Sequence, residues 1–132
     1  NTNQIQINSP KDVAELLTDE MKYEKKEKVK AIILNSKNVI IKIADICTGT
    51  TNSAMLRPKD VLHEIIKLGE PKIILVHNHP SGDPTPSKSD FEFTERLVQA
   101  ANIVGVELLD HIVVAEKGYN SIFYLKSLKK DG

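Results

Sequence analysis

The sequence predicts an α/β (α+β) fold, a mixed β-sheet flanked by helices, built as one domain over residues 1–132. Three observations carry this. Apolar stripes at helical spacing alternate along the chain with short β-branched runs, which is the pattern of helices layered on a single sheet, and no internal repeat interrupts it. The length of 132 residues fits one core, since domains most often run to roughly 100–150 residues. The 40% hydrophobic and 27% charged content matches a globular chain and excludes a disordered tail or a coiled coil.

Each element has its own local signature. Ser9-Pro10 ahead of Val13, Leu16 and Leu17 predicts an N-cap, a proline in the first helical turn and a helix to about Met21. The charged stretch Lys22–Lys28 leads, as a wet approach, into a strand at Val29–Leu34. The turn formers Asn35-Ser-Lys-Asn38 then join it to a second strand at Val39–Ala44 in a hairpin. Thr48–Ser53 reads as a polar connection. Arg57-Pro58 opens a helix carrying Val61, Leu62, Ile65, Ile66 and Leu68, which Gly69 and Pro71 end. Lys72–His77 is a β-branched run suited to a buried strand. It meets a loop, Asn78–Ser87, whose Pro80, Pro84 and Pro86 exclude helix and strand alike. Ser87 and Asp90 have the spacing of a capping box for a helix with Phe91, Leu97, Val98, Ala101 and Val104 on its apolar face, ended by Gly105. Glu107–Ala115 predicts a strand, Lys117-Gly118 a turn, and the remainder a short strand or turn followed by a terminal helix.

Charge and cysteine content narrow the function. Eighteen basic residues balance eighteen acidic ones, so no bulk field draws the chain to nucleic acid or to an anionic membrane. The lone Cys47 excludes an internal disulfide and a multi-cysteine zinc site, suits a reducing compartment, and reads as a small buried hydrophobe. A cytoplasmic location is expected. The apolar runs are strand-sized, far below the ~18 residues of a membrane span, so no membrane association is expected. The opening Asn-Thr-Asn-Gln has neither an initiator Met nor a signal-peptide layout, which suggests the C-terminal part of a longer protein.

The chemistry concentrates around His77-Asn-His79. Histidines at i and i+2 on a strand project to the same side, because strand side chains alternate, and so can share one ion. A proline-rigid loop can fold Asp90, in the first helical turn beyond it, back toward the pair. Two nitrogens and one oxygen leave a tetrahedral Zn²⁺ one open position, the pattern of a catalytic site. Taken singly, His77 is an ordinary core histidine and Ser87 with Asp90 an ordinary cap. Capping alone, however, gives no reason for two histidines ahead of the loop.

His77-x-His79, seven residues, Ser87, two residues, Asp90 resembles the JAMM (MPN+) metallopeptidase signature. The wider text HNHPSGDPTPS, with Leu109-Asp-His111 downstream, resembles the RadC branch of that family over about residues 8–125. The resemblance implies an MPN fold related to the cytidine deaminase architecture and a zinc ion held by His77, His79 and Asp90. It implies Ser87 as a helper of the oxyanion, and a helix-hairpin-helix region preceding this domain in longer relatives. It also implies a glutamate general base from upstream; counting back from Leu34 places it at Glu27, with Glu24 as runner-up. Asp110-His111 resembles a family element, and its simplest reading is a packed residue behind the site. Arg57 and Glu64 match family positions but read as helix surface. Asn78, Ser81 and Asp83 are expected to hold the loop by side-chain-to-backbone hydrogen bonds.

Two functions of different classes follow from the resemblance. One is a zinc hydrolase of peptide or isopeptide bonds acting on a peptide or protein substrate. The other, drawn from the DNA-repair label of RadC proteins, is an accessory module that associates with DNA or a repair protein through the region preceding this domain. A nucleobase deaminase is excluded, since it requires H-x-E and P-C-x-x-C and this chain has a single cysteine.

Overall fold

The computed structural model describes residues 4–47 and 56–131. In chain order the elements are α1 (Pro10–Met21), β1 (Val29–Leu34), β2 (Ile40–Cys47), α2 (Pro58–Leu68), β3 (Lys72–Asn78), α3 (Lys88–Ile103), β4 (Glu107–Ala115), β5 (Gly118–Ser121) and α4 (Ile122–Asp131). The predicted connection at Thr48–Ser53 and the side chain of Cys47 lie outside the described residues. Five strands form one sheet in the order β2-β1-β3-β4-β5. The β3–β4 pair is parallel, bridged by α3, and the other neighbours are antiparallel, so the sheet is mixed as the sequence predicts.

Alternation along the strands sorts the core into two layers. On one face Ala31 and Ile33 of β1 and Ile73 and Leu75 of β3 pack against Val61, Leu62 and Ile65 of α2 and Phe93, Leu97 and Ala101 of α3. On the other, Ile32, Ile74, Val76, Ile112 and Val114 pack against Val13, Leu17 and Met21 of α1. With both faces covered, β1 and β3 read as continuous apolar runs rather than alternating ones.

Three local details differ from the sequence-based expectation. Ser9 takes the extended N-cap conformation but makes no side-chain cap bond; Asp12 instead accepts the Asn8 N–H at 2.7 Å. The second strand starts at Ile40 and runs to Cys47, while Val39 makes an isolated bridge with Gln6. The buried stripe of α3 is Asp90, Phe93, Thr94, Leu97 and Ala101 rather than one containing Phe91 and Val104. Phe91 lies under the Lys129 ammonium, 4.9 Å from its ring centroid, and Val104 is exposed. The hairpin turn is as expected. Asn35 Oδ1 accepts the N–H groups of Lys37 and Val39, and Asn38 takes the left-handed conformation that asparagine tolerates.

Two register relations position the site. In the β1–β3 pair Val29 lies opposite His77, and the Asn78 N–H donates to Lys28 C=O at 3.3 Å, so the pairing carries on past β1 and brings Glu27 opposite His79. In the β3–β4 pair Ile73 faces Leu108 but Ile74 faces Asp110, leaving Leu109 as an extra residue. A one-residue bulge exchanges the faces of everything beyond it. His111 therefore faces the same way as Leu75 and His77.

Candidate metal centre

The loop that follows β3 is fixed at both ends. The His79 N–H donates to Val114 C=O at 2.9 Å, the Lys117 N–H to Gly82 C=O at 3.0 Å, and the Asn120 side chain to Pro84 C=O at 2.9 Å. Asp83 Oδ1 accepts from both the N–H and the hydroxyl of Thr85, and Ser81 Oγ accepts the Asp83 N–H. Gly82 turns the chain with φ of +92°, a conformation strained for any residue with a side chain. Beyond the loop Ser87 and Asp90 close a reciprocal capping box. Ser87 Oγ accepts the Asp90 N–H at 3.1 Å and Asp90 Oδ2 accepts the Ser87 N–H at 2.8 Å.

These constraints bring four side chains together. One donor atom from each of Glu27, His77, His79 and Asp90 lies within 4.8 Å of the other three. His77 Nε2 is 3.1 Å from His79 Nε2 and 3.3 Å from Asp90 Oδ1, and His79 Nε2 is 3.1 Å from Asp90 Oδ2. Glu27 Oε2 stands further back, 3.6 Å from His77 Nε2 and 3.9 Å from His79 Nε2. Glu24 is outside the group, 3.1 Å from the Lys28 ammonium. Ser87 is exposed at the rim of α3.

The donor set fits a small cation. Donors bound at 2.0–2.1 Å around a tetrahedral ion lie about 3.3 Å from one another, close to the three separations within the His77, His79 and Asp90 group. His79 Nδ1 lies 3.0 Å from the Asp83 carbonyl oxygen, which can only accept, so Nδ1 carries a proton and Nε2 is the nitrogen turned to the cluster. Burial alone would raise the Asp90 carboxyl. Hydrogen bonds from His77 and His79, with the Ser87 N–H, overcome it and hold the group well below the carboxylate range.

The same Asp90 hydrogen bond raises the pKa of His79 above its ordinary 6.5 against the opposing effect of burial, with help from the Asp83 carbonyl and the Glu27 charge. A metal must displace that proton, so acid competes with loading. Apparent metal affinity is expected to weaken as the pH falls, starting above 6.5 because the proton to be displaced is held more tightly than on a free imidazole. Competition titrations against a chelator at several pH values check this, and an affinity independent of pH from 8 down to about 6 would contradict it.

Asn78 has a different job from the expected one of holding the loop. Strand alternation turns its side chain away from the two histidines. There its Oδ1 accepts the Lys28 N–H at 2.6 Å and its Nδ2 donates to the Lys26 C=O at 3.1 Å. The two residues flanking Glu27 are thus tied to the residue between the two histidines. His111 is buried behind His77, its Nε2 2.7 Å from His77 Nδ1, in line with the packed position expected for it. Asp110 instead accepts the Ser121 hydroxyl at the end of β5 and the Phe123 N–H in the first turn of α4. Arg57 and Glu64 lie on the surface of α2, Glu64 3.7 Å from Lys42.

The family description for the RadC-like JAB domain matches residues 7–128. The chain belongs to that family. Among curated proteins this RadC-like JAB domain is 47% identical, over 120 residues, to UPF0758 proteins of Clostridium botulinum strains Okra and Kyoto, covering 91% of this chain and 53% of theirs. It is 46% identical over 116 residues to a UPF0758 protein of Clostridium novyi, covering 88% of this chain and 51% of that one. The chain thus spans about half the length of the curated relatives it matches. JAB domains include metallohydrolases, and the five-stranded sheet with four helices is consistent with the JAB/MPN fold. Among the described residues no helix is long and apolar enough to cross a membrane.

Proposed function

We propose that this RadC-like JAB domain is a zinc-dependent hydrolase of peptide or isopeptide bonds, with His77, His79 and Asp90 as the metal ligands and Glu27 as general base. The observation that carries the reading is the unequal spacing of the four side chains: three sets of donor atoms lie 3.1–3.3 Å apart, and one carboxylate stands back at 3.6–3.9 Å. A bound zinc ion supplies Lewis-acid polarisation of the scissile carbonyl and makes water a better acid. Glu27, half-buried beside the cluster, takes the proton of the attacking water and returns it to the leaving amine, so that one water and one amide become a carboxylic acid and an amine.

This reading gives Ser87 two roles. Its Oγ accepts the Asp90 N–H, while its own proton is available to Ser89, 3.1 Å away, or to a developing oxyanion. Ser87→Ala is expected to cost about 1 kcal/mol as a lost cap. It is also expected to lower kcat by roughly 10²–10³ as a lost oxyanion donor. Melting curves and turnover of one preparation separate the two effects, and an unchanged rate leaves Ser87 a cap only.

Elemental analysis of the purified chain combined with a proteome-wide cleavage screen tests the whole reading. It is expected to give about one zinc per chain and amide-bond products that vanish on chelation. Zinc without cleavage of any peptide would instead favour the accessory role, with association to DNA or a repair protein made by other parts of a longer protein. A salt-dependent DNA-binding titration of this chain is expected to show little affinity, given its balanced charge.

A further inference from the structure

His77 presents Nε2 to the cluster, and the partners that fix its other ring nitrogen lie behind it. His77 Nδ1 is 2.7 Å from His111 Nε2, His111 Nδ1 is 2.6 Å from Thr94 Oγ1, and Thr94 Oγ1 is 2.8 Å from the Asp90 carbonyl oxygen. His77 is 1% exposed, His111 2% and Thr94 0%, so water does not substitute for any partner in this chain.

Proton counting fixes every link. A carbonyl oxygen only accepts, so the single Thr94 hydroxyl proton is donated to Asp90 C=O, and Thr94 Oγ1 faces His111 as an acceptor. His111 must then carry its proton on Nδ1 and present a bare Nε2 to His77. His77 in turn must carry a proton on Nδ1, so Nε2, turned to His79 and Asp90, is the nitrogen left for a metal. Reversing either tautomer would set two lone pairs, or two protons, against each other at hydrogen-bond distance in a dry interior.

We propose that Thr94 and His111 are positioning residues that hold His77 in the Nδ1–H tautomer, so that its Nε2 is ready to ligate a metal. The relay begins on the backbone of Asp90, so the helical turn that carries one ligand sets the tautomer of another. This rests on the metal-centre reading for its purpose, but the tautomer itself is a property of the metal-free chain.

The test uses the chain labelled with ¹⁵N-histidine, stripped with a chelator, and long-range ¹H–¹⁵N correlation spectra of the imidazoles. Wild type is expected to show His77 and His111 both protonated on Nδ1. Thr94→Val keeps the shape but removes the acceptor; it is expected to mix the tautomers of both rings and weaken zinc affinity roughly 10–100-fold. Thr94→Ser restores the hydroxyl and is expected to restore both readouts. If Thr94→Val does not fold, His111→Gln carries the test, since its amide oxygen can accept from His77 Nδ1 and is expected to preserve the His77 tautomer. A wild-type His77 protonated on Nε2 with Nδ1 bare overturns the proposal, as does a folded Thr94→Val variant with unchanged spectrum and affinity. A wild-type chain that shows the assigned tautomers and binds no zinc overturns the metal reading instead.

Discussion

Glu27→Gln is expected to keep its zinc and lose nearly all hydrolysis, by roughly 10²–10⁴ in rate, the usual contribution of a positioned acid–base group. That range corresponds to about 3–5 kcal/mol of barrier. The substitution preserves size and leaves an oxygen in place, but it removes the basicity needed to take a proton from water. Metal content should hold, because the Glu27 carboxylate stands 3.6 Å or more from the imidazole nitrogens while the ligand atoms of the other three approach to 3.1–3.3 Å. Glu24→Gln is the matched control. Its target carboxylate pairs with Lys28 away from the cluster, so turnover should not change. Rate constants and zinc stoichiometry measured on the same preparations decide the matter, and full activity in Glu27→Gln with loss in Glu24→Gln would reverse the assignment.

What the sequence shows of this site depends on how far apart the interacting residues lie. His77, His79 and Asp90 are legible because their rules are local: period-two alternation joins the histidines, and capping spacing with a proline-rigid loop returns Asp90. Glu27 is harder, since its position follows from the long-range β1–β3 register that sets Val29 opposite His77. Counting along a hairpin that resembles a family element points to the same residue that the register sets opposite His79. The orientation of His111 has no such local rule. Without the extra residue at Leu109 it would face α1, and nothing in Glu107–Ala115 announces that bulge.

Thr94 is hidden in the sequence for a different reason. Apolar periodicity centred on Phe91 and Val104 rotates the inward face of α3 away from the true stripe, and a polar residue within a core stripe looks like an error until its partner is known. The sequence assigns Asn78 to its own loop, because Asx-type bonds to nearby backbone are common. Its actual partners are Lys26 and Lys28, more than fifty residues earlier for one of them and fifty for the other, which only the folded sheet brings within reach. The three candidate metal ligands are therefore read from local spacing, whereas Glu27 and the neighbours Asn78, His111 and Thr94 are placed by tertiary pairing.

Asp90→Ala is expected to abolish stoichiometric zinc binding and to lower the melting temperature below that of chelated wild type, because the proposed function adds a ligand role to its place in the capping box. As a ligand it couples metal to folding; a metal present at a thousandfold excess over its Kd stabilises the native state by about 4 kcal/mol. As half of a capping box it accepts the Ser87 N–H at 2.8 Å, worth about 1 kcal/mol to the N-terminus of α3. Asp90→Asn separates the roles. Its amide oxygen can still accept from Ser87, so its melting temperature should lie near that of chelated wild type, while the loss of charge still removes tight zinc binding. Neither variant should gain stability on adding zinc, whereas wild type should. Stoichiometric, chelator-resistant zinc in Asp90→Ala would remove Asp90 from the ligand set, and a melting temperature for Asp90→Asn as low as that for Asp90→Ala would show that the cap contributes nothing separable from the metal.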